Sequence, residues 1–286
     1  MEKQNLDASD GRPGPLAILC LGDLSRAEFG DARCALEAWG TVVAASDVSE
    51  GIAILERESL VPDVVVVAQS YPDEFSESKI EPIRSAAPLA RMVALLGPWC
   101  EGETRTGRPL PGAIRVFWHQ WASHCDRELG RLLAGGASIW SLPPTAGEEE
   151  RCLVLAGGFD ASGAGLVDIV TWQHDLYELL ADGCRRRGHS TRWLRPHEDL
   201  PIDAPGMILF DAPGETDEEI AILRRLRSYC HAPVIVLADF PRCRDRDRFL
   251  MAGAQALVAR PFLWDDLFWH FERHEAERLA LVRKAQ

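Results

Sequence analysis

The sequence lacks the positive charge and the long apolar runs that mark nucleic-acid-binding and membrane proteins. Its 286 residues hold 31 Lys and Arg against 44 Asp and Glu, and the net charge is −7 for residues 1–140 and −6 for residues 141–286. Nucleic-acid readers cluster positive charge because phosphate neutralisation supplies most of their affinity. No apolar run approaches the roughly 20 residues of a membrane helix, and residues 1–15 contain no apolar signal segment. We therefore expect a soluble, cytoplasmic protein with no nucleic-acid and no membrane partner.

Paired cysteine motifs and glycine-rich phosphate loops are also missing. The eight cysteines contain no CxxC pair, and a chain of this length buries a core without disulfides. Neither GxGxxG nor GxxxxGK occurs. The ligand types between Cys100 and Cys125 lack a standard metal spacing. We expect reduced thiols, no catalytic cysteine, no metal site and no cofactor.

Short apolar runs alternate with amphipathic stretches through residues 15–134, as in a parallel sheet covered by helices. The four consecutive valines from Val64 to Val67 suit a central strand buried on both faces. The predicted strands are Leu16–Leu21, Thr41–Ala45, Val64–Val67, Met92–Leu96 and Ile114–Trp118. Helices are predicted at 25–39, 49–60, 76–87 and 123–133, and 97–112 is predicted to be irregular. Residues 1–14 are expected to be disordered.

The second half has the same plan over residues 165–280, with a tail at 281–286. Its predicted strands are Leu166–Thr171, Thr191–Leu194, Gly206–Asp211, Val234–Asp239 and Ala256–Ala259. Helices are predicted at 175–187, 217–229, 244–252 and 264–277, whereas the three prolines in 195–205 argue against a helix between the second and third strands. Residues 135–164 are interpreted as a linker. The run Cys152–Ala156 is an alternative first strand, so the second domain starts near residue 151 or 165.

Two segments of the second half resemble the receiver domain of response regulators, a flavodoxin-like fold. In Gly206–Gly214, an apolar strand ends in Asp211 before Pro213 and Gly214, as after the phosphoaccepting aspartate of that family. The run Gly253–Phe262 resembles the ending of the family, with Arg260 before Pro261 where a lysine is usual. The resemblance implies two tandem α/β domains, each a five-stranded parallel sheet, and a context of two-component signalling and phosphorelay.

The chemistry expected from this resemblance is incomplete. Receivers hold Mg²⁺ with an acidic pair after the first strand, but Thr171, Trp172 and Gln173 stand near those places. Ala238 stands where the family has a hydroxyl, which leaves Asp211 and Asp239 as the carboxylates of this edge. We therefore expect weak Mg²⁺ binding and poor phosphoryl transfer. Arg260 is a candidate partner of Asp211 that would hold the site in one state.

The first half resembles the same family more distantly. Pro62 and Asp63 introduce the third strand as they do in receivers, but the phosphoacceptor place holds Ala68 or Gln69. The fifth strand ends in Trp118-His119, where receivers have Lys-Pro. This half is therefore interpreted as a pseudo-receiver.

A second candidate site lies in two unusual segments of the first half, one after the fourth strand and one at the end of the fifth strand. Two arginines could clamp a phosphate or carboxylate beside a tryptophan platform. One alternative is a long loop that is pinned by buried tryptophans and by internal Arg–Glu pairs, and the other is a partner interface. The candidate ligand-binding residues are Trp99, Cys100, Glu101, Glu103, Arg105, Arg108, Trp118, His119 and Trp121.

The last helix carries more aromatic side chains than packing on one sheet face requires. Trp264, Phe268 and Trp269 are candidates for an interface with a protein partner or a second copy of the chain. The function predicted from the sequence is non-catalytic signalling by protein–protein interaction, independent of phosphorylation. The alternatives are a small-molecule sensor or enzyme with its site at Trp99–Trp121, and an active receiver that uses Asp211.

Overall fold

The computed structural model describes residues 14–57, 60–143, 145–146, 149–150, 154, 165–198 and 205–284. The chain divides into two compact units, residues 1–157 and 158–286, called here the first and second domains. The alternative strand at 152–156 lies, apart from residue 154, outside the described residues, as does most of the predicted disordered segment at 1–14. No helix among the residues described is long and apolar enough to span a membrane.

The first domain is a parallel sheet of five strands in the order β2-β1-β3-β4-β5. The four valines of β3 are fully buried, which confirms the predicted central strand. The strands are β1 (Leu16–Leu21), β2 (Gly40–Ala45), β3 (Val64–Gln69), β4 (Arg91–Leu96) and β5 (Ile114–Phe117). The helices are α1 (Ala32–Glu37), α2 (Val48–Arg57), α3 (Glu77–Ala86), α4 (Glu103–Thr106) and α5 (Trp121–Leu133).

Two of the local predictions for this domain were wrong. The helix predicted at 25–39 is a 3₁₀ turn at Ala27–Phe29 followed by the short α1, with Gly30 and Asp31 between the two. Gly30 weakens a continuous helix because glycine loses the most backbone entropy on folding. The segment predicted to be irregular at 97–112 contains a 3₁₀ turn at Pro98–Cys100 and α4.

The predicted linker begins with a segment that is packed in the first domain. Trp140 is buried, and its ring centroid lies 6.1 Å from that of Trp121. The carboxylate of Glu128 accepts hydrogen bonds from the Ser138 hydroxyl at 2.8 Å and from the Ile139 amide at 2.9 Å. These contacts hold residues 138–140 against α5.

The second domain has the equivalent strand order, β10-β9-β8-β6-β7. This order is the flavodoxin-like 2-1-3-4-5 arrangement, so the predicted fold class is confirmed for both sheets. The strands are β6 (Leu166–Val170), β7 (Ser190–Leu194), β8 (Met207–Asp211), β9 (Val234–Asp239) and β10 (Ala256–Arg260). The helices are α6 (His174–Arg186), α7 (Asp217–Tyr229), α8 (Cys243–Met251) and α9 (Trp264–Lys284).

The two domains differ between their second and third strands. In the first domain α2 follows β2, and its apolar residues pack on the paired Leu19 and Val43. In the second domain residues 195–198 and 205–206, the described part of the connection between β7 and β8, form no helix. The equivalent strand pair is Asp168 and Arg192, which form two hydrogen bonds of 2.8 Å. A polar pair of the second domain therefore stands where the first domain has an apolar pair.

Helix α9 packs closely on α6 through a glycine. A Cβ atom added at Gly183 would lie 2.4 Å from the ring of Trp264, so only glycine leaves room for the indole. Phe268 and Leu267 of the same helix are buried in the core on that face of the sheet. Much of the aromatic surface of α9 is therefore used within its own domain.

We expect Gly183→Ala to destabilise the second domain by about 1–2 kcal/mol, because the overpacking cost exceeds the gain in helix propensity. Chemical denaturation measures the change. Trp264→Leu should remove most of this penalty when it is combined with Gly183→Ala. Equal stability of Gly183→Ala and the unsubstituted chain would contradict the close packing.

Candidate functional site

The carboxyl edge of the second sheet brings four polar side chains together. Asp211 ends β8, Thr171 follows β6, and Asp239 and Arg260 end β9 and β10. Because β6 and β8 are neighbours, and β8, β9 and β10 are consecutive in the sheet, these side chains meet at one edge. Ligands of open α/β sheets bind at this edge, next to the point where the strand order reverses.

Asp211 is held from two sides. The Thr171 hydroxyl donates to its Oδ2 at 2.7 Å, and Thr171 Oγ1 accepts from the Gln173 amide at 3.0 Å. Nη1 of Arg260 lies 2.9 Å from Oδ1 of Asp211. The contact with Arg260 is an ion pair by distance, since Oδ1 makes no well-aligned hydrogen bond within the described residues. The pairing that the sequence suggested is thus present in the structure.

Arg260 also binds a second carboxylate. Its Nε lies 2.8 Å from Oδ1 of Asp239, whose side chain is half exposed, and the Arg260–Pro261 peptide bond is cis. The guanidinium is mostly buried, and Asp211 is only 6% exposed. A buried carboxylate without a partner is costly because it loses its hydration. Arg260 supplies the positive charge that this edge requires.

The residues at this edge do not fit a magnesium ion. Mg²⁺ requires oxygen ligands in octahedral geometry. The Thr171 hydroxyl is hydrogen-bonded to Asp211, and the Arg260 guanidinium pairs with both Asp211 and Asp239. No group of three His, Cys, Asp or Glu side chains suited to a metal occurs in the part of the chain that is described. The positive charge at this site is therefore provided by the side chain of Arg260.

The first domain has no titratable group at the equivalent positions. The strand registers match Ile18–Val64 with Val167–Met207, which places Ala68 where the second domain has Asp211. By the same alignment Gly22, Gly97 and Trp118 correspond to Thr171, Asp239 and Arg260. A Cβ at Gly22, whose φ is +102°, would lie 2.6 Å from the carbonyl oxygen of Ala68. Backbone therefore fills the space that side chains occupy in the second domain.

The structure divides the candidate residues of the Trp99–Trp121 segment into two sets. Trp118 and Trp121 are buried core residues, and the Trp121 indole donates to the Ala32 carbonyl at 3.4 Å. Trp99 is 77% exposed, and Arg105 and Arg108 are exposed as well. Trp118 and Trp121 therefore provide no platform for a ligand, and among the tryptophans and arginines of the candidate set only Trp99, Arg105 and Arg108 remain exposed.

Glu103, one of the candidate ligand-binding residues, is instead buried in a polar cluster. Its Oε1 accepts a 2.7 Å hydrogen bond from Gln69 Nε2, and its other oxygen pairs with Arg115 of β5. The sulfur of Cys100 lies 3.7 Å from the same Gln69 nitrogen. This cluster ties the loop after β4 to the ends of β3 and β5. No pattern in the sequence distinguishes the buried Glu103 from the more exposed Glu101.

Burial raises the pKa values of two titratable groups beside this cluster. Burial raises the pKa of the Cys100 thiol to about 12, so this cysteine is protonated at neutral pH and is not a nucleophile. Burial also raises the pKa of Glu101, whose carboxylate lies 4.0 Å from Nε2 of His119. The segment after β4 is therefore packed against the domain.

The interface candidates of α9 differ in exposure. Phe268 is buried, and Trp264 packs against Gly183. Trp269 is half-buried, and the Arg273 guanidinium lies 5.2 Å from its ring centroid. Phe268 is therefore not available to a partner in this structure, because the domain core covers it.

The comparisons with known proteins find receiver domains. A receiver protein from Pseudoalteromonas atlantica is 18% identical over 42% of this chain and 99% of that one, with a TM-score of 0.34. A receiver domain of a histidine kinase from Syntrophus aciditrophicus is 26% identical, over 38% of this chain and 88% of that one, with a TM-score of 0.34. A response regulator from Thermotoga maritima is 18% identical, over 39% of this chain and 97% of that one, with a TM-score of 0.35. No protein-family model and no curated protein matches the chain.

We expect Arg260→Ala to destabilise the second domain by about 2–3 kcal/mol, because it leaves Asp211 buried without a counter-charge. Urea denaturation measures this loss. Adding Asp211→Asn should recover part of it, since the amide needs no cation. The control Arg244→Ala, at an arginine with a side chain 75% exposed, should leave stability unchanged. Additive losses at Arg260 and Asp211 would show that the two residues are not coupled.

Proposed function

We propose that this chain is a signalling protein of two receiver-like domains that acts by protein–protein interaction and is not switched by phosphorylation of Asp211. The observation that supports this proposal is the Arg260 guanidinium at 2.9 Å from the Asp211 carboxylate. In this role the second domain keeps one state, with the charge of Asp211 permanently compensated.

Phosphorylation of Asp211 would require an accessible carboxylate oxygen and a cation for the incoming phosphoryl group. One oxygen accepts the Thr171 hydroxyl, and the other faces Arg260. Arg260 is already paired with both Asp211 and Asp239. The residues that follow β6 add no carboxylate, so the developing charge of transfer would lack a metal clamp.

The first domain contributes no second phosphorylation site under this proposal. Ala68 at the equivalent position has no nucleophilic side chain, and Trp118 stands where a cation would be needed. The domain keeps the fold but not the reactive edge. A role as an interaction module is consistent with a chain that keeps two folded domains and neither complete reaction site.

The alternative function is a small-molecule sensor in the first domain. It is supported by Trp99, which is exposed after β4, and by the exposed Arg105 and Arg108 nearby in sequence. A thermal shift with phosphorylated or carboxylated metabolites that disappears in Arg105→Ala or Arg108→Ala would favour this function over the first.

A thermal-shift titration with beryllofluoride and Mg²⁺ tests the main proposal, since any ligand of the native state raises its stability. We expect no shift for the unsubstituted chain, because Thr171, Trp172 and Gln173 supply no acidic pair to hold Mg²⁺ beside Asp211. A receiver domain of known phosphorylation verifies the reagent. A shift that is lost in Asp211→Asn would show that Asp211 accepts a phosphoryl analogue and would overturn the proposal.

A further inference from the structure

An exposed aromatic surface lies beside the Asp211 site. It consists of Trp172, His174, Tyr177, Trp193 and His197, which belong to the loop after β6, to α6 and to β7 with the residues that follow it. Trp172 is 56% exposed, and the side chains of both histidines are more than half exposed, whereas Trp193 and Tyr177 are half-buried and Tyr177 also packs on the domain core. Large exposed aromatic groups of this kind mark interaction sites more often than isolated exposed apolar residues do.

The rings of this aromatic surface are ordered by contacts with one another. Trp193 stacks on Tyr177 with centroids 5.5 Å apart and meets the edge of the His174 ring at 5.1 Å. Trp172 lies 5.1 Å from His197. The Trp193 indole donates to the Thr171 carbonyl at 2.9 Å, so the surface is anchored to the residue that binds Asp211. A partner would therefore meet rings already held in place.

The chain itself shows which kind of side chain binds these rings. The guanidinium of Arg195 lies over the Trp193 ring, 5.4 Å from its centroid. A cation is attracted to the negative face of an aromatic ring, and indole is the best of the natural platforms. Trp172, more exposed than Trp193, offers a second indole of the same kind.

The charges around the aromatic surface are mainly negative. Asp175 and Glu178 lie 4.0 and 3.9 Å from the nitrogens of His174, and Glu218 lies 3.1 Å from His197. The Glu198 carboxylate accepts the Arg195 amide at 3.0 Å. The guanidiniums nearby are that of Arg195 and that of Arg225, which donates to the Pro196 carbonyl. Within the described part of the chain, four carboxylates against two guanidiniums give a surface complementary to positive charge.

We propose that the aromatic surface is the docking site for a basic segment of a partner protein, with arginine side chains placed on the exposed rings. This inference rests on the proposed function and names the partner chemistry that one surface recognises. Arginine is favoured over lysine because its planar guanidinium stacks on aromatic faces as well as pairing with carboxylates.

Fluorescence anisotropy with labelled peptides of one length tests the proposal on the full chain. The peptides alternate glycine with arginine, lysine, glutamate or serine. We expect the arginine peptide to bind at least tenfold more tightly than the glutamate and serine peptides, and binding should weaken in high salt. No binding by the arginine peptide, or equal binding by the glutamate peptide, would overturn the proposal.

Trp172→Ala should weaken binding of the arginine peptide about tenfold or more, because tryptophans are the commonest binding hot spots. Tyr229→Ala is the matched control, since Tyr229 is 57% exposed and ends α7 in the same domain. Equal affinity in Trp172→Ala and Tyr229→Ala would place the site elsewhere. An unchanged melting temperature of Trp172→Ala separates lost binding from lost folding. The beryllofluoride experiment does not depend on the aromatic surface. If the arginine peptide does not bind, the proposed function is therefore not contradicted.

Discussion

The ion pair between Arg260 and Asp211 is the interaction on which the properties of the second domain depend. Flavodoxin-like strand order brings the ends of β6, β8, β9 and β10 to one edge, where a buried carboxylate requires a compensating charge. The guanidinium of Arg260 in β10 is covalently part of the chain and always provides this charge, whereas a bound metal ion can dissociate. Asp211 thus has its charge partner built into the fold.

Comparison of the two domains shows two ways of maintaining the same sheet. The first domain closes its edge with Gly22, Ala68 and a buried Trp118, and it keeps the helix between its second and third strands. The second domain keeps the polar edge but has the Asp168–Arg192 pair where the first has Leu19 and Val43. At matched positions of the same fold, polar side chains in one domain thus correspond to apolar side chains in the other. In each domain these residues pair with neighbours in the same sheet.

The strands and most helices were predictable because their apolar periodicity is strong and because four valines in sequence indicate a doubly buried strand. The pairing of Asp211 with Arg260 was predictable because both residues end strands that meet at one edge. The burial of Glu103 was not, because its partners Gln69 and Arg115 lie on separate strands. The aromatic surface was also missed, because Trp172 and Trp193 are 21 positions apart and adjoin only through β6 and β7.

The central claim is that Asp211 does not accept a phosphoryl group. Intact-protein mass spectrometry after incubation with acetyl phosphate and Mg²⁺ tests it most directly, with a functional receiver domain treated in parallel. The account predicts that the mass of this chain stays unchanged while that of the functional receiver increases. A mass increase of one phosphoryl group that is absent in Asp211→Asn would contradict the account, because it would show that the Arg260 pair opens to admit the reaction.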